Sequence, residues 1–132
     1  MEVQVQSRFD SNTKLAISRA VYQVRFKKMR MPSSQALAQL ITEDAKFDFC
    51  YIDGSHMAHD VLSDAIMAFH VMSVGGTFVF DDYLWSDVSP NERNPLHSPK
   101  LAIDAFAHVF GKKVYQVSKL PIDQAYFRKF AE

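Results

Sequence analysis

Three carboxylates and one imidazole directly follow two short apolar runs in this sequence. Asp53 and His56 come after the run FDFCYI at 47–52, and Asp81 and Asp82 come after the run TFVF at 77–80. An imidazole takes a proton readily near neutral pH, and a carboxylate accepts hydrogen bonds from a polar ligand. These residue types could therefore bind and act on a small polar molecule, provided that the fold brings the two groups together.

Two predicted strands and one predicted helix carry these side chains. Between the apolar runs, hydrophobic residues recur at helical spacing from Val61 to Met72, and Gly75-Gly76 supplies a stop for the helix. A strand, a helix and a second strand of this length form a βαβ unit, in which the two strands are parallel and adjacent. Ligands of such sheets bind outside the carboxyl ends of the strands. The sequence therefore predicts that both groups of side chains meet at one edge of a sheet.

The segments before this unit give weaker signals. Tyr22, Val24 and Phe26 alternate with polar residues, which indicates a half-exposed strand, although a helix competes with it over residues 18–28. Ser33-Ser34 offers an N-cap for a helix whose apolar face lies between residues 36 and 41.

The segments after the unit complete an α/β pattern. Residues 84–98 are rich in Ser, Asp, Asn and Pro and indicate a long loop over the carboxyl edge of the sheet. Ser98-Pro99 then places a cap and a first-turn proline before another helix. The last strand candidates are Val114–Val117 and Ala125–Phe130, which the short link between them would make an antiparallel pair.

Length and composition exclude several classes of protein. The 132 residues are expected to form a single domain, and their fifteen basic and fifteen acidic side chains give no overall field that would attract nucleic acid or a membrane surface. No apolar run approaches membrane-spanning length, and no secretory signal opens the sequence. The single cysteine, Cys50, is predicted to be a buried, inert thiol, which fits a reducing cytoplasm.

The combined pattern resembles a known family. The stretches YIDGSH, GGTFVFDDYLW and AIDAF, with RFDSN and SSQALAQL before them, resemble the C-terminal part of class I S-adenosylmethionine-dependent O-methyltransferases. The metal-dependent branch that acts on small molecules and sugars is the most similar in appearance. This resemblance implies a Rossmann-like sheet with helices on both faces and an antiparallel strand pair at its C-terminus. It also makes residues 1–132 a partial, N-terminally truncated domain.

The resemblance implies roles for the residues at the sheet edge. In the family, an acid that ends one strand and an acidic pair that ends the next bind a divalent metal, usually magnesium, and these positions are Asp53, Asp81 and Asp82 here. The histidine three residues after the first acid is the general base in some relatives, which would make His56 and Asp53 the catalytic pair. The cation would hold the hydroxyl of a small-molecule substrate.

One part of the family pattern is missing from this sequence. The four glycines, at 54, 75, 76 and 111, do not form the glycine-rich turn that holds S-adenosylmethionine in the family. By resemblance, the remaining cofactor contacts would be Ser33 or Ser34 near the adenine, and Asp53 with Ser55 near the methionine end. Loss of the central strands would leave a strand edge unpaired, so a homo-oligomer is expected.

Two functions therefore remain open at this point. The first is metal-assisted methyl transfer to a hydroxyl. The second is a catalytically inactive domain that acts as a homodimer or a partner-binding module. For single residues, ordinary alternatives also remain. The three aspartates could be strand-end turn residues, and His56 could be a loop residue bonded to the backbone. Tyr83 and Trp85 could form either a wall of a substrate pocket or a hydrophobic plug beneath the loop.

Overall fold

The computed structural model describes residues 2–86, 88–118 and 123–132. The chain divides into two compact units, Met1–Arg30 and Met31–Glu132. The single domain expected over residues 1–132 stays a prediction.

The first unit is one helix followed by an extended segment. Helix α1 spans Glu2–Arg19, and residues 20–30 that follow it form neither helix nor strand. The ring of Phe26 packs on that of Phe9, with centroids 6.2 Å apart, and Lys28 forms an ion pair with Asp10. The strand predicted at 22–26 is therefore wrong, because the segment is held by side chains and has no ladder partner among the residues that the structure describes. The competing helix ends at Arg19, before the alternating residues begin.

The second unit contains the sheet. Its elements are helix α2 (Ser33–Thr42), strand β1 (Phe47–Ile52), helix α3 (Ala58–Val71), strand β2 (Met72–Phe80), helix α4 (Pro99–Val109), strand β3 (Val114–Gln116) and strand β4 (Ala125–Lys129). Two short 3-10 turns, Pro90–Glu92 and Pro95–His97, lie in the long loop before α4. The sheet order is β1-β2-β4-β3, with β1 and β2 parallel and the other two pairs antiparallel. The predicted α/β fold, the parallel pair and the C-terminal antiparallel pair are confirmed.

Strand β2 begins earlier than predicted. Helix α3 ends at Val71, so Gly75-Gly76 is not its stop. The register with β1 jumps from Phe47↔Met72 to Phe49↔Thr77, which places residues 73–76 in a bulge of β2. Gly75 has a φ of +90° there, a backbone conformation that side chains with a Cβ rarely adopt. The glycine pair therefore shapes a strand irregularity, which local sequence cannot distinguish from a helix end.

The core lies between the strands and helices α3 and α4. Four phenylalanines from three elements, Phe78, Phe80, Phe106 and Phe127, are at most 2% exposed and pack ring against ring at centroid separations of 5.5–6.4 Å. Helix α3 contributes Val61, Ala65 and Phe69 to the same cluster. The aromatic core holds β2 in place, and the partly buried Cys50 and Ile52 of β1 pack against the same cluster.

Candidate functional site

The structure brings the three predicted aspartates together. One carboxylate oxygen from each of Asp53, Asp81 and Asp82 lies within 4.8 Å of the others. The strand register explains this, because Ile52 pairs with Phe80 and the Asp81 amide donates to the Ile52 carbonyl at 3.0 Å. The acids that follow the two strands therefore emerge side by side. Asp53 is exposed, whereas Asp81 and Asp82 are half-buried.

His56 joins this cluster through Asp82. Its Nε2 lies 2.8 Å from Asp82 Oδ2, and its ring stacks on the indole of Trp85 with centroids 3.9 Å apart. The Met57 amide donates to Ser55 Oγ at 3.0 Å, which shapes the turn that leads from β1 into α3. His56 is therefore bonded to a side chain of the cluster.

Asp82 has an unusual backbone conformation. Its φ of +56° lies in the left-handed region, where aspartate is tolerated better than most residues. The Asp82 carbonyl accepts a hydrogen bond from the Trp85 amide at 2.9 Å. This sharp turn directly after β2 places the side chain of Asp82 beside His56. It also brings the indole of Trp85 against the same imidazole ring.

Tyr83 and Trp85 have different environments. The Tyr83 ring packs against the core, and its hydroxyl donates to Asp104 at 2.8 Å. The alternative of a hydrophobic plug fits Tyr83, whereas Trp85 borders the acid cluster through His56.

Asp81 is held by residues that the sequence did not indicate. The hydroxyl of Tyr51 donates to Asp81 Oδ2, and Gln124 Nε2 donates to Asp81 Oδ1 at 3.0 Å. These two hydrogen bonds, with one from the Asp82 backbone, lower the pKa of Asp81 and keep it ionised. The bond to Asp81 also raises the pKa of Tyr51 to about 12, so the phenol stays a donor. The one sequence signal for the role of Tyr51 was the alternation of side chains along β1, which places Tyr51 on the face of the sheet opposite Cys50.

The space between the aspartates is small. A cavity of about 10 Å³ is lined mainly by residues that follow strands β1 and β2, among them Asp53, Ser55, His56, Asp81 and Asp82. This volume is about the minimum for one water molecule. The cluster can therefore enclose a single small ion or water, and a larger ligand would bind outside it.

The predicted cofactor residues fall into two places. Ser33 and Asp53 line an open, mostly apolar cleft of about 280 Å³ between α2, β1 and α3. Ser55 lines the small cavity between the aspartates instead, and Ser34 is exposed outside both.

The N-cap predicted at Ser33-Ser34 is wrong. Pro32 occupies the N-cap position of α2, and proline has no side-chain acceptor that could cap the helix. Ser33 forms a hydrogen bond with Asp64 instead. Burial raises the pKa of Asp64, against the effect of this hydrogen bond. Ser33 is thus held at the wall of the cleft.

A family model described as a methyltransferase domain matches residues 3–83, which is more than half of the chain. The chain belongs to the methyltransferase-domain family. Among curated proteins, none matches the sequence. No helix among the described residues combines the length and the apolar composition needed to cross a membrane.

Solved structures share the fold of this methyltransferase domain. A protein of Corynebacterium glutamicum has a TM-score of 0.64 at 19% identity, over 96% of this chain and 58% of its own. The MycE methyltransferase of the mycinamycin biosynthetic pathway, in complex with Mg, SAH and mycinamycin VI, has a TM-score of 0.60 at 19% identity, over 84% of this chain and 33% of its own. The methyltransferase domain described here therefore spans less than two thirds of the length of either protein.

Proposed function

We propose that this methyltransferase domain takes part in S-adenosylmethionine-dependent methyl transfer to a hydroxyl group of a small molecule, assisted by a divalent cation. The observation that carries the proposal is the cluster of three carboxylates within 4.8 Å of one another, beside an imidazole. The presence of Mg and SAH in the similar MycE structure supports it.

The donor set fits magnesium. Asp53, Asp81 and Asp82 offer only oxygen atoms, which hard divalent cations prefer, and Mg²⁺ keeps several waters when few carboxylates bind it. The cavity that the three aspartates help to line has a volume of about 10 Å³, which suits a small ion. When bound, the cation would lower the pKa of a substrate hydroxyl held beside it.

His56 is suited to take the proton of that hydroxyl. A carboxylate can only accept hydrogen bonds, so a neutral His56 donates from Nε2 to Asp82 and its Nδ1 carries the free lone pair. We therefore assign Nδ1 as the basic atom. Asp82 would hold the ring through Oδ2 and leave Oδ1 for the cation.

The cleft beside Asp53 is the proposed place of the cofactor. Ser33 would lie towards the adenine and Asp53 towards the methionine end, whereas Ser34 and Ser55 are not part of the wall of this cleft. The apolar wall formed by Ala36, Leu37 and Leu40 would cover a flat ring.

Calorimetry with Mg²⁺ and S-adenosylmethionine tests this function. The double variant Asp81→Asn with Asp82→Asn keeps the shape of both side chains and should lose Mg²⁺ binding. Asp48→Asn, an exposed aspartate of β1 outside the cluster, is the matched control and should bind as the unchanged chain does. Absence of heat with both ligands for the unchanged chain would exclude the proposed function.

The second candidate is a catalytically inactive domain that acts as a homodimer or partner-binding module. One observation favours it: no described strand pairs with the outer edge of β1, and Phe47, Phe49 and Tyr51 on that strand are 41%, 60% and 46% exposed. Exposed strand edges are sites of chain association. Sedimentation equilibrium should then show a dimer that Phe49→Lys dissociates, whereas Phe130→Lys, a similarly exposed phenylalanine after β4, should not.

A further inference from the structure

The side chains of Tyr51, Asp81 and Gln124 form a triangle of hydrogen bonds. Tyr51 stands on β1, Asp81 follows β2, and Gln124 directly precedes β4, so three adjacent strands contribute one side chain each. Gln124 Nε2 donates to Asp81 Oδ1 at 3.0 Å and to the Tyr51 hydroxyl oxygen at 3.1 Å. The Tyr51 hydroxyl donates its own proton to Asp81 Oδ2. Each member of this triangle therefore bonds to both others.

The orientation of the Gln124 amide is also determined. The hydroxyl of Tyr126, on β4, donates to Gln124 Oε1. A phenol proton needs an acceptor, so the amide oxygen faces Tyr126 and the two protons of Nε2 face Asp81 and Tyr51. Tyr51 and Tyr126 both flank Val79 of β2 in the sheet register, which explains why the two phenols reach the same amide.

This arrangement occupies part of the Asp81 carboxylate and leaves part of it free. The two oxygens of a carboxylate offer about four lone-pair sites. Tyr51 and Gln124 use one on each oxygen, and a hydrogen bond from the Asp82 backbone uses a third. The remaining lone pair is available to a ligand, and one Asp81 oxygen lies within 4.8 Å of oxygens of Asp53 and Asp82.

We propose that Tyr51 and Gln124 are positioning residues that hold the Asp81 carboxylate for a divalent cation, with Tyr126 fixing the orientation of Gln124. This inference rests on the proposed metal site. It adds that cation affinity depends on two residues outside the acid cluster. Partners that orient metal-binding side chains in this way typically change metal affinity by about 10-fold to 100-fold when they are removed.

Titration with Mn²⁺ followed by electron paramagnetic resonance, together with Mg²⁺ calorimetry, tests the inference on the whole chain. Tyr51→Phe and Gln124→Leu should each weaken cation binding by about 10-fold or more. Tyr126→Phe should have a smaller effect, because its hydroxyl does not touch Asp81. The matched controls are Tyr115→Phe and Gln116→Leu on β3, where both side chains are exposed and remote from the cluster. They should bind Mn²⁺ as the unchanged chain does.

Urea unfolding without metal separates positioning from a purely structural role. Tyr51→Phe and Gln124→Leu should unfold at nearly the same urea concentration as the unchanged chain, since Tyr51 is exposed and Gln124 and Asp81 are only half-buried. Unchanged Mn²⁺ affinity in these two variants would overturn the inference while leaving the proposed metal site intact. Absence of Mn²⁺ binding by the unchanged chain would overturn both.

Discussion

The imidazole of His56 lies nearly flat on the indole of Trp85, with ring centroids 3.9 Å apart and ring planes inclined by 11°. With Nε2 bonded to Asp82, the stack leaves His56 little freedom to rotate. Trp85 is the only tryptophan of the chain, and it stands at the start of the long loop after β2. This loop therefore contributes directly to the orientation of the proposed base.

Replacement of Trp85 should release His56. Trp85→Ala removes a stacked aromatic pair, a contact of about 0.5–1.5 kcal/mol beyond burial, and should move the ring-proton resonances of His56 downfield as the indole ring current is lost. Trp85→Phe should keep most of the shift. Proton NMR measures this directly, with His97 as an internal reference. Unchanged His56 resonances in Trp85→Ala would contradict the stack.

Variants of the chain at Asp82 should differ in their free energy of unfolding, because the backbone at this position is in the left-handed region. At a φ of +56°, Asp82→Ala should lower the free energy of unfolding by about 1 kcal/mol relative to Asp82→Gly, whereas Asp82→Asn should be close to the unchanged chain. Urea unfolding measures the difference. Equal stability of the alanine and glycine variants would show that the left-handed turn is not maintained in solution.

The thiol of Cys50 should react slowly. Burial, with a contribution from the negative charge of Asp64, raises the pKa of Cys50 from 9.0 to about 11. Because the thiolate is the reactive form, modification by a thiol reagent at pH 8 should be about 100-fold slower in the folded chain than in urea. Asp64→Asn should speed up the reaction in the folded chain. Cys50 is half-buried in the structure and not fully buried as the sequence predicted. Equal rates in the folded and the unfolded chain would contradict the raised pKa of this thiol.

The raised pKa of Cys50 also predicts the direction of a pH effect on stability. The pKa of Cys50 is higher in the folded chain than in the unfolded chain. The protonated thiol therefore contributes its full stabilisation below pH 9, and this stabilisation is lost as the pH rises towards about 11. Stability measured by urea unfolding at pH 8 and pH 10.5 should fall more for the unchanged chain than for Cys50→Ala.

Lys129 should be important for the end of helix α3. Its side chain is fully buried, and Nζ donates to the carbonyl of Phe69 at 3.1 Å and to that of Met72 at 2.8 Å. These carbonyls lie at the C-terminus of α3, where the last groups lack helical partners. Lys129→Met should lower stability by about 2 kcal/mol, because both acceptors lose their donor.

The matched control for this variant is Lys112→Met, at an exposed lysine after α4. Its urea unfolding midpoint should stay close to that of the unchanged chain. A similar midpoint for Lys129→Met would show that Lys129 contributes no net stability at this helix end.

Local sequence was a good guide where one element constrains its neighbour. The strand-helix-strand pattern required parallel strands with a common carboxyl edge, and this was enough to place Asp53, Asp81 and Asp82 side by side. It was a poor guide where the outcome depends on a distant partner. The alternating residues at 22–26 have no ladder partner within the described part of the chain, and Gly75-Gly76 lies where the register of β2 with β1 shifts.

The sequence by itself determined the α/β fold, the parallel strand pair and the meeting of the three aspartates, since hydrophobic periodicity and the geometry of a βαβ unit are local properties. Only the tertiary structure decided that Asp82 bonds to His56 and that Asp81 is held by Tyr51 and Gln124. Tyr51 and Gln124 are 73 residues apart in the sequence and meet because the sheet order places β2 between β1 and β4. Such contacts depend on strand order and register, which no spacing along the chain encodes.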